Sequence, residues 1–377
     1  MTRFWLPVMV LAATVGCGAA LAPPVRAQGA LIEETTPPPP KPAPKPKPVF
    51  VPPTLLWKVE VGRVEAAPQV QDATLYVGAA DSLLQLDTLG RQQWRFATGP
   101  HLGAPTMDSQ RVYIGSDRGT LFAVRRDNGD LAWQFTADQN AAILTQPSLG
   151  AGRIYFEATD NNVYALDALY GQLRWKFTRP DGSLGYSAPV FFEDALYVCG
   201  ENAMYRLNAA TGKQDWRTYI GGKSLSTPAI GDGRLYIGGD GTGLTALAPD
   251  TGSVVWTFNG KGTGDWFGPP QYADGTVYVS TYNRYVYAVD AKTGKPRWSY
   301  RVLGNALASP AVDTKRNVVY VTSITFRDNP TLTAIDAKTG KKLWDYRLGH
   351  TTGSPQIIGD RLYVGSTTGN LYAFSLK

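Results

Sequence analysis

Short hydrophobic runs alternate with polar residues from about residue 54 to the end of the chain. Val, Ile, Leu and Tyr fill the runs, and Gly, Asp and Asn are common between them. Apolar and polar residues with a period of two are typical of half-buried strands, and Tyr, Val, Ile and Trp suit a pleated surface. The pattern therefore predicts an all-β protein.

The pattern also repeats. Tryptophans separated by 37 to 46 residues stand at one position of each unit: Trp57, Trp94, Trp133, Trp175, Trp216, Trp256, Trp298 and Trp344. Seven of them follow a Gly by four residues, and a Pro and a Tyr-led strand lie in each interval. Each unit is predicted to be an antiparallel meander of strands A to D, with Pro near A, Tyr in B and Trp in D. Units of about 40 residues with four strands indicate a β-propeller.

The two ends of this array predict how the propeller closes. The eighth unit ends at Lys377 after its third strand, and the missing Trp strand lies near the start, around Trp57. We expect an eight-bladed β-propeller of four-stranded antiparallel blades over residues 54–377, with the N-terminal strand completing the last blade. Such closure leaves no free strand edge at the seam, and we expect a monomeric ring.

The segment between strands C and D carries a family resemblance. Residues 288–298 read AVDAKTGKPRW and residues 334–344 read AIDAKTGKKLW, and residues 165–175 are a close third copy. These segments resemble the tryptophan-docking repeat of PQQ-like β-propellers. Two branches share that repeat, the quinoprotein dehydrogenases and the outer-membrane assembly lipoprotein BamB, and this chain is closest in character to BamB. The resemblance implies that the eight tryptophans lock neighbouring blades together and do not bind a ligand.

The N-terminal residues predict export. Residues 1–27 have the charged start, apolar run and small-residue cleavage site of a signal peptide, ending at Ala27. A second interpretation stays open, because residues 14–17 resemble a lipobox that would leave Cys17 lipidated. Either way we expect a protein outside the cytoplasm, periplasmic or outer-membrane-associated, that meets a membrane only through a lipid anchor.

A Pro- and Lys-rich segment follows the signal. We interpret residues 28–53 as a disordered tether, since consecutive prolines favour an extended polyproline II rod without internal hydrogen bonds. The segment is a spacer that holds the folded part away from a surface, or simply a solvated linker.

Charge and composition exclude several classes of protein. The net charge is +6, of which residues 1–53 supply five Lys or Arg against two Glu, so the propeller carries +6 − 3 = +3. So weak a charge does not favour nucleic acid. The chain has two Cys and two His, too few for a disulfide framework or a His-rich metal site.

Quinone-dependent enzymes of the resembling family need a divalent ion with its ligands, and typically a vicinal Cys pair. Cys199 has no neighbouring Cys, and Asp265 and Trp266 form an isolated pair. We therefore expect no cofactor, no metal and no catalytic residues. Acidic residues of successive B–C hairpins could ring one mouth of the channel, but Asp is also favoured in tight turns; they are Asp81, Asp117, Asp160, Glu201 and Asp240.

One cluster of loops departs from the repeat. Aromatic residues and arginine concentrate in the D–A connection into blade 6, the B–C hairpin of blade 6 and the B–C hairpin of blade 7: Trp266, Phe267, Tyr282, Arg284, Tyr285, Phe326 and Arg327. Such a composition is typical of interface hot spots. We interpret these residues as a partner-docking surface, or alternatively as loops folded over the channel.

These observations favour a non-enzymatic, exported, BamB-like scaffold that binds another protein of the cell envelope, with outer-membrane assembly as the role that the resemblance implies. The alternatives are a quinone-dependent or other small-ligand-binding propeller enzyme, and a binder of cell-wall polysaccharide.

Overall fold

The eight predicted repeats form eight four-stranded antiparallel sheets. The computed structural model describes residues 50–100, 103–182, 187–222, 226–261, 266–324, 331–348, 350–351 and 353–377. In this part of the chain the one helical element is a single 3₁₀ turn, Asp138–Asn140. The prediction of an all-β propeller with eight blades is confirmed.

Blades 1 to 4 each take four consecutive strands. Blade 1 consists of β2 Gln69–Gln71, β3 Thr74–Ala79, β4 Ser82–Asp87 and β5 Gln92–Ala97, and blade 2 of β6 Thr106–Met107, β7 Arg111–Gly115, β8 Thr120–Arg125 and β9 Leu131–Thr136. Blade 3 consists of β10 Ser148–Gly150, β11 Arg153–Glu157, β12 Asn162–Asp167 and β13 Leu173–Thr178, and blade 4 of β14 Val190–Phe192, β15 Ala195–Cys199, β16 Ala203–Asn208 and β17 Gln214–Tyr219.

Blades 5 to 7 repeat this order, and blade 8 draws on both ends of the chain. Blade 5 consists of β18 Ala229–Gly231, β19 Arg234–Gly239, β20 Gly243–Leu247 and β21 Val254–Phe258, and blade 6 of β22 Gln271–Ala273, β23 Thr276–Ser280, β24 Tyr285–Asp290 and β25 Pro296–Arg301. Blade 7 consists of β26 Ala311–Asp313, β27 Val318–Ser323, β28 Thr331–Asp336 and β29 Lys342–Arg347, and blade 8 of β30 Gln356–Ile358, β31 Arg361–Gly365, β32 Asn370–Ser375 and β1 Thr54–Glu60.

The N-terminal strand completes the last blade, as predicted. β1 pairs antiparallel with β32, with Trp57 opposite Ala373. The indole Nε1 of Trp57 then donates a hydrogen bond to the carbonyl of Thr88 in blade 1, at 2.9 Å. Blade 8 therefore docks onto blade 1 through a strand that comes from the other end of the chain.

The tryptophans of strand D lie between consecutive blades. In seven blades the indole Nε1 donates to a carbonyl in the C–D turn of the next blade; the donor–acceptor pairs are Trp57–Thr88, Trp94–Arg126, Trp133–Ala168, Trp175–Ala209, Trp216–Pro249, Trp256–Ala291 and Trp298–Ala337. A Gly of the same turn lies against the indole ring, as Gly171 does on Trp133. A side chain there would collide with the ring, which explains the Gly that precedes each of seven tryptophans in the sequence.

Trp344 docks differently. It packs edge-on against Phe374 of blade 8, with ring centroids 5.9 Å apart. The strands β32 and β1 belong to opposite ends of the chain, so no C–D hairpin joins them and the turn carbonyl that the other tryptophans use is not formed.

The Tyr of strand B reinforces the same junctions. Tyr155 and Trp175 lie 5.8 Å apart between ring centroids, and both donate to the carbonyl of Ala209. One carbonyl oxygen has two lone pairs and can accept both bonds. Each net hydrogen bond is worth about 1 kcal/mol, so most of the docking energy comes from burying the aromatic rings.

An Asp side chain caps the C–D turn, as blade 6 illustrates. Asp290 accepts hydrogen bonds from the backbone and hydroxyl of Thr293 and pairs with Arg297. These bonds, that from Arg297 first, lower the pKa of Asp290 to about 2. The turns therefore hold the glycines that face the tryptophans.

Strands B and C carry the core, while strand D forms the outer edge and strand A lines the hub. Neighbouring blades share hydrophobic clusters, as where Tyr113 and Leu121 of blade 2 meet Phe156 and Tyr164 of blade 3. Phe50, within the predicted tether, packs against the cluster between blades 7 and 8. Contacts with the propeller thus begin before the first residue of β1.

Candidate functional site

The D–A connection into blade 6 is held between two B–C hairpins. Trp266 makes an isolated antiparallel bridge with Asp240 of blade 5, and Phe267 makes one with Thr281 of blade 6. The backbone N–H of Tyr282 donates to the carbonyl of Trp266 at 3.0 Å. The connection therefore behaves as a short extra strand that fixes the backbone of both hairpins at this rim.

The bridged backbone positions several aromatic side chains at this rim. The rings of Trp266 and Tyr282 stack with centroids 6.5 Å apart, and Tyr282 remains 48% exposed. Tyr285 stacks on Tyr287 at 5.7 Å, and the Lys261 ammonium lies 5.3 Å from the centroid of the Tyr285 ring. Rings held by neighbouring rings lose little conformational freedom when a partner binds.

Phe267 does not belong to this surface, and its prediction as a docking residue is wrong. Its side chain is fully buried against Tyr287 and Phe258, with ring centroids at 6.0 and 6.2 Å. Adjacent residues of an extended segment point to opposite sides. Because Trp266 faces the rim, Phe267 must face the core between blades 5 and 6.

Arg284 lies at the tip of the blade 6 hairpin. Its φ is +75°, in the left-handed region, and its side chain is exposed. The Arg284 carbonyl accepts the N–H of Val302 at 2.8 Å, which ties the hairpin tip to the end of strand D. An exposed arginine is thus presented on a backbone that is fixed on two sides.

Sequence reasoning missed three rim residues. Arg301 lies opposite Tyr285 in the β24–β25 register, Leu303 is 69% exposed just beyond β25, and Lys261 covers Tyr285. An isolated Leu in a turn-rich connection, such as Leu303, is a sequence signal that could have pointed to the rim. We call Lys261, Trp266, Tyr282, Arg284, Tyr285, Arg301 and Leu303 the blade 6 rim.

The blade 7 part of the predicted surface is described only at its base. Ile324 and Asn305 exchange backbone hydrogen bonds of 2.9 and 2.8 Å, which repeats the blade 6 arrangement one blade on. Phe326 and Arg327 lie outside the described residues. So do Cys17, the signal segment 1–27 and most of the tether.

The hub of the ring is a second candidate site. A cavity of about 650 Å³ is lined by residues of all eight blades, chiefly from the connections that lead into strand A and from strand A itself. Its polar lining consists of amides and hydroxyls such as Gln146, Gln271 and Thr227, and its one charged residue among those described is Glu65, which pairs with Arg63.

This lining does not fit a quinone cofactor of the PQQ type. Such a group carries several carboxylates and is bound with a divalent ion, which calls for cationic side chains and a set of oxygen ligands. The described lining supplies neither. Over the described ranges, no three His, Cys, Asp or Glu side chains lie together as a metal site would require.

Two acidic residues of the B–C hairpins, Asp81 and Asp160, have local partners. Asp81 accepts bonds from Ser82 and Arg95, which lower its pKa. Asp160 accepts the hydroxyl of Tyr164. These carboxylates stabilise their own turns.

No helix within the described ranges has the length and hydropathy needed to cross a bilayer.

Comparison with known proteins agrees with this architecture. A family model described as "Outer membrane protein assembly factor BamB" matches residues 82–189, 160–267 and 244–377. A BamB of Burkholderia pseudomallei is 39% identical over 116 residues, which is 30% of this chain and 29% of that relative. The aligned part therefore spans less than a third of that protein.

Solved structures share the fold at low sequence identity. BamB from Moraxella catarrhalis superposes with a TM-score of 0.72 at 16% identity, covering 86% of this chain and 99% of that one. The quinohemoprotein alcohol dehydrogenase from Comamonas testosteroni gives 0.68 at 16% identity, covering 86% and 76%. Since the family model spans most of the propeller, this chain belongs to the PQQ-like β-propeller family described as outer membrane protein assembly factor BamB.

Proposed function

We propose that this protein is a non-enzymatic scaffold of the cell envelope, exported and tethered, whose blade 6 rim binds another envelope protein. The observation that carries the proposal is the rim itself, where Trp266, Tyr282 and Arg284 stand on a hydrogen-bonded backbone. Family membership supports a partner in the outer-membrane protein assembly machinery.

The composition and the rigidity of the rim both suit a binding surface. Trp, Tyr and Arg are the residues that most often dominate binding energy at protein interfaces. Here the two rings already stack on each other, and the three connections are bridged by backbone hydrogen bonds. A partner would therefore meet a preorganised surface and little ordering would be needed.

Two amino-acid changes test this role. Trp266→Ser with Tyr282→Ser removes the stacked pair while leaving the blade-docking tryptophans intact. We expect loss of a specific envelope protein from affinity capture of solubilised native envelope, with a melting temperature lowered by no more than about a few degrees. The matched control is Tyr170→Ser with Tyr219→Ser, which removes two aromatics outside the rim that are 66% and 68% exposed. Equal capture by the rim variant and the control would refute docking at blade 6.

A quinone-dependent enzyme is the second candidate, because dehydrogenases of that kind share the fold. The discriminating experiment adds quinone and calcium to the purified protein and follows absorbance and dye-linked oxidation of alcohols. We expect neither spectral change nor turnover, since the described hub lacks the cationic lining that such a cofactor needs.

Binding of cell-wall polysaccharide is tested by sedimentation with purified wall. We expect the propeller to stay in the supernatant. Co-sedimentation that the Trp266→Ser and Tyr282→Ser changes abolish would reassign the rim to a carbohydrate.

A further inference from the structure

The blade 6 rim concentrates unpaired positive charge. Lys261, Arg284 and Arg301 are all exposed, and none of them forms an ion pair with a described residue. The acidic residue that touches the described rim is Asp240, through its backbone bridge to Trp266. Among the described residues, three cations against one carboxylate give a local charge of about +2 by simple counting.

Some cations at the same end of other blades are neutralised by carboxylates, whereas others, such as Arg347 of blade 7, form no ion pair with a described residue. Arg95 of blade 1 pairs with Asp81 at 2.9 Å, and Lys176 of blade 3 pairs with Asp138. In blade 4, Arg217 pairs with Asp181. In each case the carboxylate comes from the adjacent B–C hairpin or D–A connection. The repeat thus has places for acidic partners, and the described part of blade 6 leaves its cations without them.

The unpaired cations surround an aromatic centre. Lys261 lies over the Tyr285 ring, and Arg301 is its cross-strand neighbour. Side chains directly opposite in an antiparallel pair have Cβ atoms about 5 Å apart. Arg284 precedes Tyr285 in the chain, so the three cationic residues occupy positions next to Tyr285. Leu303 extends the patch with exposed apolar surface.

We infer that the blade 6 rim recognises an acidic protein segment, in which Asp or Glu carboxylates meet Lys261, Arg284 and Arg301 while apolar side chains pack on Tyr282 and Leu303. This inference rests on the proposed function and names the chemistry of its partner. Charge complementarity selects the carboxylates, and the aromatic and leucine surface selects a polypeptide that also presents apolar groups.

The test uses a phage-displayed library of random peptides as the probe. The rim variant combines Lys261→Ser, Arg284→Asn and Arg301→Gln; Asn is chosen at 284 because it tolerates the left-handed backbone. The control removes three exposed cations from the C–D turns at the other end of blades 6 and 7, by Lys292→Ser, Lys295→Asn and Lys338→Gln. Both variants lose the same net charge.

We expect peptides rich in Asp and Glu with interspersed apolar residues to be selected by the unchanged protein and by the control, and not by the rim variant. A synthesised selected peptide should bind the rim variant about tenfold more weakly, because exposed pairs are individually weak and three are lost. Selection without acidic bias, no selection, or equal affinity for both variants would overturn the inference. Rim-dependent binding to phosphatidylglycerol vesicles without peptide selection would overturn it in favour of a lipid surface.

The two proposals fail separately. Loss of envelope capture on changing Trp266 and Tyr282, together with no acidic selection, would leave the docking role standing and reject the acidic partner. Acidic selection at the rim, with envelope capture unaffected by the changes at Trp266 and Tyr282, would support recognition of acidic peptides and reject the docking of an envelope protein.

Discussion

Blades 3 and 6 are built on the same four strands and differ at their rims. In blade 3, Lys176 pairs with Asp138, the Tyr164 hydroxyl bonds Asp160, and Phe156 stacks on Tyr164 with centroids 5.0 Å apart. In blade 6 the charged groups Lys261 and Arg284 have no such partners among the described residues. One rim satisfies its own polar groups, and the other presents them to the surroundings.

The two blades share the junctions that build the ring. Trp175 of blade 3 donates to Ala209, and Trp298 of blade 6 donates to Ala337, at 2.9 and 2.8 Å. The differences named above lie at the end of the blade that carries the B–C hairpin, away from the C–D turns that the tryptophans contact. We attribute stability to the repeat, and we propose that binding belongs to the loops that depart from it.

The largest expected effect contrasts a junction tryptophan with a rim tryptophan. Trp175→Ala should cost about 3–5 kcal/mol, because a side chain only 9% exposed leaves a cavity between two blades. Trp266→Ala should cost about 1 kcal/mol or less, since its ring lies at the rim. Chemical denaturation measures both, and equal losses would remove the distinction between junction and rim.

A smaller effect isolates the contact of the turn glycine with the indole. Gly171 has φ +70°, and a Cβ there would lie 2.6 Å from the Trp133 ring, whereas Gly152 has φ +71° with nothing within 4 Å. Gly152→Ala should cost about 1 kcal/mol, for backbone strain alone. Gly171→Ala should cost about 1–3 kcal/mol more, from overpacking. Identical unfolding midpoints for the two variants would show that the glycine is needed only for its backbone conformation.

The smallest effect concerns a buried acid that blade 3 has and blade 6 lacks. Glu157 is fully buried beside Arg179, at the strand position that Ser280 occupies in blade 6. Burial raises the pKa of Glu157 to about 7 against the opposing effect of Arg179. The ordinary pKa of a Glu side chain is 4.5, so the folded state holds this proton more tightly than the unfolded state between pH 4.5 and about pH 7.

The stability that this proton contributes is therefore present below pH 4.5 and is lost as the pH rises through about 7. Urea unfolding at about pH 5 and about pH 8 should show a falling midpoint in the unchanged protein, and a smaller fall in Glu157→Gln, which cannot ionise. A fall of the same size in both proteins would mean that other groups cause it.

The sequence predicted the fold because its signals are local and repeated. Trp, Gly and Tyr recur at fixed positions in each blade. The Trp57 strand has no strands A, B and C before it, and the last repeat has these three strands without a strand D. The sequence pattern places Trp344 with the other docking tryptophans, whereas its different contact follows from the missing hairpin at the seam, which only the assembled ring reveals.

The rim was predicted in part. Trp266, Tyr282, Arg284 and Tyr285 stood out because they interrupt the repeat, and the structure brings them together. Phe267 was misassigned, since composition does not tell which of two adjacent side chains faces inward. Whether a cation such as Arg301 is paired depends on residues distant in the chain, so that property could not be read from the sequence.

Site-specific photo-crosslinking tests the central claim most directly. A photoreactive phenylalanine analogue replaces Tyr282 on the blade 6 rim or, as control, Tyr219 at the same end of blade 4, where exposure is 68%. The account predicts one envelope-protein adduct in living cells from position 282 and none from position 219. An adduct from position 219 alone, or none from either site, would contradict it.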